Sequence, residues 1–249
     1  MRALVVGTVV IAAACGRMRF DDQRQDASAA SDADSDAPPA DAVDIDAFVA
    51  LVPGCVAPET PGPFITNFDQ GVPTWGSIYQ LAPAQMDVFE NQLRGQPAMA
   101  PGSTVYAGFE ATVADYRERR VFVEIPTMVN TASCAQVSFN IQDDDVTQYV
   151  EFTQGCGNLE AYVWVGSTPT LLAATTYNPA LHRWWQLRAH AGTLFFEFSS
   201  DGLTWMPFAN TPTPTYFDDA YLELASGTYQ MESMTLGEAR FDDLFDCFP

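Results

Sequence analysis

Apolar and polar residues alternate with a period of two along much of the chain, which predicts β-strands rather than helices. Arg120-Val-Phe-Val-Glu-Ile-Pro126 places Val121, Val123 and Ile125 on one face, and Gln136-Val-Ser-Phe-Asn-Ile-Gln142 does the same with Val137, Phe139 and Ile141. Thr147–Thr153 and Leu159–Val165 continue the series, with Asp143-Asp-Asp145 and Cys156-Gly-Asn158 as turns, so an antiparallel meander is expected from Arg120 to Val165. Further on, His182–Arg188 leads through Ala191-Gly192 into Thr193–Phe198, and Asp201-Gly202 turns the chain into Leu203–Phe208. No helical pattern of useful length interrupts these runs. Short alternating strands punctuated by Gly, Pro and Asp predict an all-β, antiparallel β-sandwich or jelly roll.

The first fifty residues follow a different pattern. Ala3–Ala14 is an apolar run preceded by Met1 and Arg2 and closed by Ala12, Ala13 and Ala14, directly before Cys15. It is too short for a membrane-spanning helix, which needs roughly 17 to 25 residues, so it reads as a secretory signal. Gly16 to about Leu51 is dominated by Asp, Ala, Ser and Pro. Such a stretch has too little apolar surface to offset chain entropy and carries repeated like charges, so it is expected to be a disordered, extended tether. The expected organisation is a signal peptide over 1–14, a tether over 15–54 that begins at Cys15, and one β-domain over 55–249.

Charge narrows the partners. The chain carries a formal net charge of -21 at pH 7, and the domain alone has 23 Asp and Glu against 7 Arg and no Lys. Nucleic acid and other polyanions need clustered cations, so they are excluded as expected partners. Apart from Cys15 there are four cysteines, Cys55, Cys134, Cys156 and Cys247, which allow three pairings. Cys134–Cys156, flanking neighbouring strands, and Cys55–Cys247, joining the ends of the domain, are the favoured pairs. No CxxC or His-rich spacing supports a cysteine metal site.

Two resemblances bear on these residues. The N-terminal run ending in small residues and Cys15 resembles the signal of bacterial lipoproteins, although Ala12 stands where that family usually has Leu. It implies lipidation of Cys15, export to an oxidising compartment and anchoring at the outer membrane or cell surface. His182-Arg-Trp-Trp-Gln-Leu-Arg188, Gly192–Trp205 and Ala239-Arg-Phe-Asp-Asp243 resemble the concanavalin A-like lectin/glucanase jelly-roll modules, with Phe64–Trp75 suiting their first strand. That family includes sugar binders, glycosidases and structural spacers, so the likeness implies a fold and not one activity. The Ser199–Trp205 turn also resembles a sialidase-type Asp-box, in which Asp201, Gly202 and Trp205 are fold determinants.

Candidate chemistry is sparse. The glucanase Glu-x-Asp-x-x-Glu triplet is absent, and Glu124, Glu151, Glu160, Glu197 and Glu223 are isolated on their strands. Clustered carboxylates at Asp143, Asp144 and Asp145, at Asp218 and Asp219, and at Asp242 and Asp243 are candidate calcium ligands, though without EF-hand spacing. No other cofactor is expected. Among Trp75, Trp164, Trp184, Trp185 and Trp205, the adjacent Trp184 and Trp185 must point to opposite faces of a strand, which makes one of them a candidate for stacking on a sugar ring. The expectation is a surface-anchored, non-enzymatic binding or adhesion lipoprotein with carbohydrate as leading ligand. The alternatives are a divergent glycoside-active enzyme of the same fold, or a structural envelope protein that binds only protein.

Overall fold

The computed structural model describes Cys55 and residues 59–99, 105–231 and 234–248. The signal segment, Cys15 and the tether lie outside the described residues. The elements are β1 (Thr60–Pro61), β2 (Gly76–Gln80), β3 (Gln85–Phe89), β4 (Gln92–Gln96), β5 (Val105–Ala111), β6 (Arg120–Thr127), β7 (Gln136–Gln142), β8 (Gln148–Gly155), β9 (Asn158–Val165), β10 (Thr168–Thr176), β11 (Trp184–His190), β12 (Thr193–Ser199), β13 (Met206–Pro212), β14 (Tyr221–Thr228) and β15 (Ala239–Phe248). A 3-10 turn, Thr215–Asp218, precedes β14.

The strands form two antiparallel sheets. One is an eight-stranded sheet ordered β13-β12-β11-β6-β15-β4-β3, with β1 added against β15. The other is seven-stranded, ordered β10-β9-β8-β7-β14-β5-β2. The sandwich expected from the alternation is therefore present, with one change of connectivity. The meander begins at β7, because β6 pairs with β11 and β15 in the opposite sheet. Alternation within a strand fixes which face is buried but not which sheet receives the strand.

Between the sheets lies one core. Val121, Val123 and Ile125 of β6 and Leu187 of β11 meet Val137, Phe139 and Ile141 of β7, Val150 and Phe152 of β8, and Leu222 and Leu224 of β14. Phe152 stacks on Trp185, with ring centroids 5.1 Å apart. The Trp185 indole N–H donates to the His182 carbonyl at 2.9 Å, so its polar atom is satisfied inside the core.

A second, smaller cluster covers the outer face of the eight-stranded sheet. Phe122, Trp184, Phe245 and Cys247 pack there, with Cys55, Ile65 and Trp205 at the margin. Cys55 is bonded to Cys247, with Cα atoms 5.8 Å apart, and Cys134 to Cys156, with Cα atoms 4.0 Å apart. The first bridge closes the domain ends over the small cluster, and the second fastens the approach to β7 to the β8–β9 turn.

The Asp-box-like turn belongs to the same roof. Asp201 accepts from the amides of Leu203 and Thr204 at 2.9 and 2.8 Å and from the Ser199 hydroxyl at 2.8 Å. Those donors pull its pKa down to about 2, the Thr204 amide most strongly. Gly202 takes φ +72, and a Cβ there would lie 3.0 Å from the Trp184 ring. Glycine is thus needed both for the left-handed backbone and for close approach to the indole.

Candidate functional site

The tryptophan pair does not supply an exposed ring. Trp185 is fully buried in the core, and Trp184 is only 5% exposed beneath the Gly202 turn, near Phe122. The expectation that one of them would face a ligand is corrected by this roof. Trp184 does point to the outer face, as alternation requires, but that face is covered.

Of the acidic turns, the first is tied up in part by its own hydrogen bonds. Asp143 accepts from the Thr147 amide at 2.7 Å, the Gln148 amide at 3.1 Å and the Thr147 hydroxyl at 2.8 Å, so it closes the β7–β8 turn. Asp144 and Asp145 are exposed beside it. Asp218 and Asp219 are exposed at the end of the 3-10 turn, with Asp218 3.7 Å from Arg117. Among the described residues, the one trio of His, Cys, Asp or Glu whose ligand atoms gather within 4.8 Å is Cys55, Glu59 and Cys247, and its cysteines form the disulfide. Neither the Asp143–Asp145 nor the Asp218–Asp219 run forms such a trio.

The outer face of the seven-stranded sheet is different. Residues directly opposite on neighbouring strands share a face, so the register can be followed across the sheet. Ser77 lies opposite Glu110, Glu110 opposite Glu223, Glu223 opposite Asn140, Asn140 opposite Glu151, and Glu151 opposite Tyr162. Three glutamates from β5, β14 and β8 therefore occupy one row perpendicular to the strands. In the next row, Tyr221 lies opposite Gln142, Gln142 opposite Tyr149, and Tyr149 opposite Trp164.

Hydrogen bonds link these rows. Tyr79 and Asn140 each donate to a different oxygen of Glu223, the latter at 2.5 Å. Gln142 donates to Glu110 at 3.3 Å. Trp164 donates its indole N–H to Glu151 at 2.8 Å, and its ring stacks on Tyr149 at 5.3 Å between centroids, tilted by 13°. Tyr162 is 6.0 Å from Trp164 by ring centroids and donates its hydroxyl to Glu160 at 2.9 Å. Burial, followed by the Glu160 charge, raises the Tyr162 pKa, which keeps this hydroxyl a donor.

The floor of this face is buried and its edge is not. Ser138, Asn140, Glu151 and Glu223 are buried, whereas Glu110, Glu160, Tyr162, Trp164 and Tyr221 are partly exposed. The site thus combines fixed polar groups with a partly exposed aromatic group. Such a combination suits a ligand with apolar ring faces and many hydroxyls.

Sequence reasoning placed Glu151, Glu160 and Glu223 on strands but left them isolated. The bond between Asn140 and Glu223 joins residues 83 positions apart, across a β7–β14 pairing that no local pattern specifies. A usable signal was present nonetheless: Tyr149-x-Glu151-x-Thr153 and Glu160-x-Tyr162-x-Trp164 are the polar faces of two successive strands.

No known protein-family profile matches the chain, and no curated protein matches it. Solved structures do resemble it. The CBM2 module of the evolved Dit of Lactobacillus casei BL23 phage J-1 aligns with a TM-score of 0.52 at 11% identity, over 74% of this chain and 94% of that module. The exoplasmic/lumenal domain of VIP36 in its Ca2+/Man2-bound form aligns with a TM-score of 0.54 at 11% identity, over 74% of this chain and 86% of that domain. At these identities the likeness shows architecture alone: the chain shares the antiparallel β-sandwich fold of these two structures.

Proposed function

We propose that the protein is a non-enzymatic carbohydrate-binding lipoprotein, held at the bacterial surface by a lipid on Cys15 and an acidic tether, and that it binds sugar on the outer face of its seven-stranded sheet. The observation that carries the binding reading is the row Glu110–Glu223–Asn140–Glu151–Tyr162 beside the Tyr149–Trp164 stack. Carboxylates and amides fix sugar hydroxyls, and an indole packs against the C–H face of a pyranose. The two named solved structures, a carbohydrate-binding module and a domain bound to Ca2+ and Man2, support this choice of ligand class at the level of fold.

A glycoside-active enzyme is the second reading, favoured by the same row of carboxylates. Glycosidases need one carboxyl able to give a proton to the leaving oxygen and another that attacks or activates water. Glu223 is buried and both its oxygens already accept bonds, from Tyr79 and Asn140, so neither is presented to a glycosidic oxygen. This favours binding over hydrolysis. Screening the purified protein on a glycan array, with calcium and with chelator, together with an assay for reducing-end release from every bound glycan, tests both readings. Binding without release is expected; release abolished by Glu223→Gln would establish the enzyme.

A further inference from the structure

Outside the two rows just described, the molecule offers a shallow cleft lined by Glu59, Arg119, Arg120 and Arg188 and an acidic group in which Asp242 and Asp243 are half-buried, Glu124 is buried and Asp69 is exposed. The cleft's Arg120 and Arg188 pair with Glu59 and Glu197, and nothing in the acidic group points to a ligand. The face of the seven-stranded sheet carries more.

Its central strand, β7, is specific about hydrogen-bond polarity. The amide NH2 groups of Asn140 and Gln142 turn sideways to Glu223 and Glu110. Their oxygens, Asn140 Oδ1 and Gln142 Oε1, are left with no partner among the described residues although both side chains are buried. The Ser138 hydroxyl on the same strand is in the same condition. Buried polar atoms are almost always satisfied, so acceptors of this kind call for a donor from a ligand or from water. Around them sit Glu110, Glu151, Glu160 and Glu223, while no outward position on the seven strands is Arg, Lys or His. The face is an array of acceptors with negative charge, flanked by Trp164 and Tyr162.

We infer that the ligand is a cationic glycan, one whose pyranose rings carry protonated primary amines. An ammonium group supplies donors and no acceptor, so it matches the polarity of a face whose Asn140 Oδ1 and Gln142 Oε1 lack donors, and it is attracted by the carboxylate row. The ring that bears it supplies the apolar face for Trp164, and the ammonium itself gains from a nearby aromatic face. A neutral hydroxylated sugar fills the same space without the charge, and an N-acetylated one presents an amide where the ammonium should be. This inference rests on the carbohydrate-binding reading and narrows its ligand class.

Calorimetric titration of the purified protein with oligomers of glucosamine, of N-acetylglucosamine and of glucose tests it, with oligolysine as a non-sugar cation. The expected result is at least about tenfold tighter binding of the glucosamine oligomer than of either neutral sugar, which is about 1.4 kcal/mol. That preference should shrink as salt screens the charges. Glu160→Gln, at the partly exposed edge, should reduce the preference without loss of folding, and Trp164→Ala should weaken the glucosamine oligomer but not oligolysine. Equal or tighter binding of a neutral oligomer that depends on Trp164 overturns the cationic class and leaves the carbohydrate reading intact. Oligolysine binding as tightly as the glucosamine oligomer, both indifferent to Trp164→Ala, overturns the sugar class in favour of cationic peptide. Binding of none overturns both inference and reading.

Discussion

The indole N–H of Trp164 donates to a carboxylate oxygen of Glu151 at 2.8 Å, diagonally across the β8–β9 pair, while the Trp164 ring stacks on Tyr149 directly opposite. The ring is therefore fixed by one polar and one aromatic contact before any ligand arrives. Such preorganisation lowers the ordering cost of binding. Replacing Trp164 by Phe keeps a ring but removes the donor to Glu151. Trp164→Phe is expected to retain part of the glycan affinity and Trp164→Ala to lose at least about tenfold, as read by titration calorimetry. Neither should lower the thermal midpoint greatly, because Trp164 is only partly buried. Equal affinity for the wild type and Trp164→Ala would remove this ring from the site.

Trp184 and Trp185 should behave in the opposite way. Both are buried, one under the Gly202 turn and one in the main core. Trp185→Ala should cost about 3 to 5 kcal/mol of stability, the range for truncating a core aromatic. Trp184→Ala should also destabilise, by less, since its cluster is small. In urea denaturation both midpoints should fall, while glycan affinity of the folded fraction stays unchanged. An affinity loss with an intact midpoint would return these residues to the binding role that their exposure argues against.

Which parts of this architecture were legible in the chain follows from how far apart the determining residues lie. Strands β7, β9 and β12 could be read almost residue by residue, because alternation such as Val137, Phe139, Ile141 is a local signal. Both disulfide pairs were the favoured ones, since Cys55 and Cys247 bracket the domain and Cys134 and Cys156 flank adjoining strands. The candidate site was not legible in the same way. Its residues are individually ordinary, and only the β14–β7 and β14–β5 pairings bring Glu223 beside Asn140 and Glu110. The edge strand β10 was missed because its residues are mostly exposed and lack alternation, with Pro169 in the strand and a register shift between Leu171 and Ala173. The burial of Trp184 depended on a turn seventeen to twenty-one positions later folding back as a roof, which period-two patterning does not encode.

The two disulfides should contribute unequally. Cys55–Cys247 closes a separation of 192 residues, whereas Cys134–Cys156 closes one of 22. If restriction of the unfolded chain dominates, the longer loop is worth about 2 kcal/mol more. Paired Cys→Ala replacement of each bridge, followed by denaturant titration, should show the greater loss for Cys55–Cys247, which also packs on Phe122, Trp184 and Phe245. A greater loss for Cys134–Cys156 would show that local strain or residual structure outweighs loop entropy.

Asp243 sets a pH dependence. It sits at φ +43, and burial first, then the charges of Asp242, Glu124 and Asp69, push its pKa up to about 6 from the ordinary 3.8. The folded state thus binds more protons than the unfolded chain between those values. This contribution to stability is fully present below the unfolded pKa and is lost as pH rises through about 6. Asp243→Asn removes the charge and tolerates the left-handed backbone, so it should stabilise the domain at pH 7 by about 1 kcal/mol after allowing for solvent screening. Denaturation at pH 7 and pH 5 should show that gain shrinking at the lower pH. A gain of the same size at both would assign it to backbone geometry instead.

If the outer face of the seven-stranded sheet binds glycan, its partly exposed ring and not the buried pair carries the affinity. The most direct measurement is a glycan-array comparison of the wild type, Trp164→Ala and Trp184→Ala, each checked for folding by its thermal transition. Specific glycan binding by the wild type is expected, lost in Trp164→Ala and retained by the folded fraction of Trp184→Ala. Retention in Trp164→Ala with loss in folded Trp184→Ala, or no glycan bound by the wild type, would contradict it.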